Sequence, residues 1–73
     1  MKLFGYEEGS EQRSPLTLSE ASILASPSEL RAIAKALAKV AEEMEGDGFD
    51  HAHLTDRLSG LIEGPELIVV KAR

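Results

Sequence analysis

The chain has no cysteine, so no disulfide staples its fold and no thiol is available as a nucleophile or metal ligand. That composition fits a reducing cytoplasm, which is the expected location. Tryptophan is also missing, and the aromatics are only Phe4, Tyr6 and Phe49. The core must therefore come from Leu, Ile, Val and Ala. No apolar run approaches the ~18 residues of a membrane span. Met1 to Gly5 is followed, after Tyr6, by the acids Glu7 and Glu8, unlike a signal peptide. Neither a membrane partner nor export is expected. Bases are few: eight Lys and Arg against thirteen Asp and Glu, a net charge of −5. This argues against general nucleic-acid binding, which needs clustered cations facing phosphate. There is no G-x-G-x-x-G, no P-loop and no G-x-S-x-G elbow. The serines are scattered, and Ser26 is accounted for as a helix cap. No catalytic residue and no cofactor are expected.

What is present fits one domain over residues 1–73. A core of this size rarely supplies more than roughly 3–5 kcal/mol of net stability. Without disulfides, the expected extra support is a second copy of the chain.

The strongest local signal is Ser26-Pro27-Ser28-Glu29-Leu30. Ser26 caps a helix, Glu29 reaches back in a capping box, and Pro27 takes the first helical position. The helix runs from Pro27 to about Glu45, and Gly46 is the natural residue just beyond its end. Leu30, Ile33, Ala34, Leu37, Val40, Ala41 and Met44 recur at three- and four-residue spacing and form one apolar stripe. Upstream, Lys2 to Glu7 and Leu16 to Ala25 read as strands joined by a polar connection, with a slip in the second near Ser19-Glu20. Downstream, Asp47-Gly48 reads as a turn. Asp50 reads as a second N-cap, with Phe49 and Leu54 as a hydrophobic staple, opening a short helix from His51 to Leu58. After Gly64-Pro65, Glu66 to Ala72 is the clearest strand, and its Leu67-Ile68-Val69-Val70 is apolar on both faces.

These readings predict an α+β fold: a small three-stranded sheet, in the order β-β-α-α-β, covered on one face by the long amphipathic helix plus the short one. A right-handed crossover would make the second and third strands parallel. One helix covers only one face, so the two-sided apolarity of Leu67 to Val70 asks for another cover. A homodimer is the expected answer.

Two groups of polar residues are candidates for function. Asp50-His51-Ala52-His53 places one carboxylate and two imidazoles within four residues. In a strand both imidazoles would share a side; in the predicted helix they point about 200° apart. That spacing and the small number of ligands favour a cap with ordinary surface histidines over a metal site. The second group is acidic: Glu42, Glu43, Glu45, Asp47, Asp50 and Asp56, with no Lys or Arg among them. Acids at a helix C-terminus oppose the macrodipole, a small and salt-screened cost. They form either a solubilising rim or a docking surface for a basic protein. Upstream, Arg31, Lys35 and Lys39 fall in one row at four-residue steps, read as a solvated face.

The segments SPSELRAIAKALAKVAEEME, FDHAHL and GPELIVV, in that order, resemble the immunity protein 32 family over roughly Leu16 to Val70. The chain departs at Leu58 to Glu63, where an aromatic anchor is expected ahead of Gly64-Pro65. The resemblance implies a cytoplasmic, non-enzymatic protein that blocks a cognate toxin by occluding it. The partner-binding candidates are then Glu42, Glu43, Glu45, Asp47, Asp50, His51, His53 and Asp56, facing a basic toxin. Two other readings stay open: a homodimeric structural module, and a small metal- or ligand-binding protein using His51 and His53.

Overall fold

The computed structural model describes residues 1–9, 11, 13–46, 48–58 and 65–72. Its elements run β1 (Leu3–Gly5), β2 (Leu16–Leu18), α1 (Pro27–Gly46), β3 (His51–His53), α2 (Leu54–Arg57) and β4 (Ile68–Val70). The fold is α+β. The strands, however, make two separate antiparallel pairs, β1 with β2 and β3 with β4, in place of the expected three-stranded sheet. β4 finds its partner in β3, a strand the expectation had placed in a helix, so no parallel crossover to β2 forms.

In the first pair Leu3 faces Leu18 and Gly5 faces Leu16. Gly5 leaves room for its neighbour: a β-carbon there would sit 3.1 Å from Leu18 Cδ1. The strand expected over Leu16 to Ala25 stops at Leu18. Beyond the slip at Ser19-Glu20 the three-residue β1 offers no further partner, and Ile23 and Leu24 are exposed.

α1 matches its reading. The capping box forms: Ser26 N–H donates to Glu29 Oε1 at 2.9 Å, and Glu29 N–H donates to Ser26 Oγ at 3.2 Å. The apolar stripe divides lengthwise. Ile33 and Val40 are buried, with Ala32, Ala36 and Met44 packed beside them, while Leu30, Ala34, Leu37 and Ala41 stay exposed. The domain is too small to cover the whole stripe.

The expected second helix is the main correction. His51 to His53 form a strand, and the helix spans only Leu54–Arg57 with His53 at its N-cap position. Pairing decides this. Ala52 is buried opposite Val69, Lys71 N–H donates to the Asp50 carbonyl at 2.7 Å, and Leu54 N–H donates to the Leu67 carbonyl at 2.8 Å. Asp50 therefore caps no helix, and Phe49 is exposed. Gly48 follows α1 with φ +74°, the left-handed conformation that glycine adopts without strain.

The core is Ile33, Val40, Ala52, Leu54 and Leu58, closed by Val69 from β4. No described residue of 1–25 is buried. The apolar run from Leu67 to Val70 is only partly enclosed: Val69 faces the core, whereas Ile68 and Val70 are 50% and 69% exposed. The expected Asp47-Gly48 turn at Asp47, the end toward Gly60 and the departure at 59–63 lie outside the described residues.

Candidate functional site

Because side chains alternate along a strand, burying Ala52 turns both His51 and His53 away from the core. Their rings lie 5.8 Å apart between centroids at 74°, an edge-to-face arrangement. The extended backbone thus brings together two imidazoles that a helix would have separated.

Each imidazole has its own carboxylate. His51 Nδ1 is 2.9 Å from Asp50 Oδ1, and His53 Nδ1 is 2.5 Å from Glu66 Oε1. A carboxylate accepts, so in each pair Nδ1–H donates and Nε2 is left out of the contact. The hydrogen bond from His51, followed by its Coulombic attraction, holds the Asp50 carboxyl below its ordinary range.

Across the ladder His51 faces Val70 and His53 faces Ile68. The outward side of the β3–β4 pair is therefore two imidazoles and two aliphatic side chains, with Asp50 and Glu66 beside them. A shallow depression of about 310 Å³ lies at one end, lined by Asp50, His51, Val70 and Lys71.

Of the acids singled out in the sequence, Asp50 belongs to this face. Glu42, Glu45 and Asp56 are exposed on α1 and α2, with Lys39 Nζ 4.0 Å from Glu42 Oε2. Glu43 turns inward, where its Oε2 lies 2.5 Å from Arg57 Nη1. That oxygen is buried and its geometry does not make a hydrogen bond. The distance decides its partner, so we treat the contact as an ion pair joining α1 to α2. Asp47 lies outside the described residues.

Sequence reasoning missed Glu66, Ile68 and Val70 as members of the histidine face. The strand that carries them was legible; its pairing with His51–His53 was not. Arg57 was missed because it is one residue beyond the acidic run and fourteen from its partner.

Chemically, this face can bind. Two imidazoles with free Nε2 atoms, each backed by a carboxylate, resemble half of a metal site. Among the described residues no group of three or more His, Cys, Asp or Glu is placed to hold a metal ion. Among the described residues, too, no helix is long and apolar enough to cross a membrane.

A family model described as Immunity protein 32 matches residues 20–71. The match begins after β2 and takes in α1, β3, α2, β4 and every core residue. No curated protein and no solved structure matches the chain.

Proposed function

Since the chain belongs to the immunity protein 32 family, we propose that it neutralises a cognate bacterial toxin in the cytoplasm, by binding and occluding it and without a catalytic step. The family match is the observation that carries this reading. The histidine face supports it. Ile68 and Val70 give an apolar centre beside two imidazoles, with charged residues at the margin, which is the anatomy of a protein interface. The acids favour a basic toxin. Asp50, Glu66, Asp56 and Glu42 are exposed, and the whole chain carries −5. Such a surface speeds encounter with a cation-rich partner and fixes its orientation. The neutralising unit in this reading is a homodimer.

Co-expression with a toxin encoded beside this gene tests the proposal. Growth should be rescued, and the toxin should co-purify with this chain from native lysate. Failure of both would remove the immunity reading. The acidic surface has its own test. Replacing Glu42, Asp50 and Asp56 together by Lys should slow association about tenfold at low salt and flatten its salt dependence. Unchanged association kinetics would show that the acids take no part.

A further inference from the structure

We infer that the exposed half of the α1 stripe is the seam of an antiparallel homodimer, in which two copies of this helix pack against each other. The inference rests on the homodimer reading above and gives it an interface.

Leu30, Ala34, Leu37 and Ala41 are spaced four, three and four residues apart, and Met44 follows three further on. That is the alternating 4–3 spacing of a two-helix seam. Leu30 and Leu37 are 45% and 42% exposed, Ala34 and Ala41 are exposed, and Met44 is half-buried at the edge of the core. Leucine alternates with alanine, so a second helix can set each large side chain against a small one and approach closely.

Charge selects the second copy and its direction. Beyond the capping Glu29, the charges of α1 are basic up to Lys39 (Arg31, Lys35, Lys39) and acidic after it (Glu42, Glu43, Glu45). A parallel copy would place like charges side by side. An antiparallel copy lays each basic half along an acidic one. Only one flank of the seam is free to use this, because Ile33 and Val40 on the other flank face the chain's own core. Turning about 100° per residue puts Glu45 and Arg31 about 60° and 100° from the seam's midline on the free flank, whereas Lys35 and Glu42 turn to the outer side of the helix.

Two registers place apolar against apolar. With the two-fold between Lys35 and Ala36, each Leu faces an Ala, and Arg31 lies beside the partner's uncharged Ala38. With the two-fold at Lys39, Leu37 faces the partner's Ala41 and Ala34 faces the partner's Met44. Arg31 then lies beside the partner's Glu45. The second register adds two symmetric cross-helix ion pairs between Arg31 and Glu45, so it is the one assigned.

The experiment is sedimentation velocity on the full chain across micromolar concentrations, for the native protein, Leu37→Glu, Arg31→Glu, and the swap Arg31→Glu with Glu45→Arg. These positions are exposed on a helix and outside the core, and circular dichroism verifies that each variant folds. The native chain should dimerise. Leu37→Glu and Arg31→Glu should each raise the dissociation constant roughly tenfold or more. The double swap should recover native affinity, because Arg31 and Glu45 are too far apart on one helix to pair within it. A monomeric native chain would overturn both the seam and the homodimer reading. A dimer indifferent to Leu37→Glu and Arg31→Glu would overturn the seam alone. Loss in Arg31→Glu without recovery in the swap would overturn the antiparallel register. Toxin capture is read separately and is untouched by any of these outcomes.

Discussion

Two reciprocal hydrogen bonds between Ser26 and Glu29 hold the first turn of α1. They satisfy backbone donors that the helix itself leaves open. Replacing Ser26 by Ala should cost about 1 kcal/mol, read as a lower urea midpoint at unchanged slope. Glu29 adds a pH signature. Its carboxyl is held below the ordinary 4.5, first by the Ser26 backbone N–H and then by the Ser26 hydroxyl. A depressed folded value means that the ionised form is favoured by folding. The contribution is complete above the ordinary value and is lost as pH falls through the depressed one. The stability gap between the native chain and Glu29→Gln should thus be level near neutrality and close as pH drops below 4.5. A gap that does not change with pH would contradict the capping role. This box was legible because both partners lie three residues apart in one segment. Asp50 had equally good local credentials as a cap, yet its carboxylate goes to His51. The bond that claims it depends on a strand that the local sequence does not announce.

At the scale of elements, α1 was readable because twenty residues repeat one period many times over. β3 has only three residues, and its flanks carry the marks of a helix start. What overrides them is β4: burying Ala52 against Val69 and closing the backbone bonds at either end are tertiary terms, absent from any local window. The same limit hid the tie between the helices. Glu43 reads as one acid among many, but it is half-buried against Arg57, with the two side chains 21% and 31% exposed. Replacing Arg57 by Ala leaves the buried Glu43 oxygen without its counter-charge. We expect a loss of about 1–2 kcal/mol, between the values for exposed and buried pairs. Removing both, with Glu43→Leu and Arg57→Ala, should restore most of it. Urea unfolding of the four proteins in a double-mutant cycle measures the coupling. Additive losses would mean that the two helices do not depend on this pair.

At the scale of the molecule, the sequence order did not reveal which strands pair, so one sheet was expected where two form. The division has a physical consequence. Among the described residues, the five buried apolar ones lie between Ile33 and Leu58, and Val69 closes the group. The β1–β2 hairpin contributes no buried side chain, and the family match begins at residue 20, just beyond it. A two-stranded hairpin without a covered face is marginal in water. It cannot carry much of the stability of a domain whose core lies elsewhere. A chain starting at residue 20 should therefore keep the α1 helicity and unfold within about 0.5 kcal/mol of the full chain. In the full chain, the amides of Leu3 to Gly5 should exchange with solvent far faster than those of Val40, Leu54 and Val69. The shortened chain should also dimerise as the full chain does, because every residue of the α1 seam is retained. Loss of the cooperative transition on removing residues 1–19 would show that the hairpin belongs to the folding unit and that its exposed Phe4, Tyr6 and Leu16 work through contacts beyond the buried core.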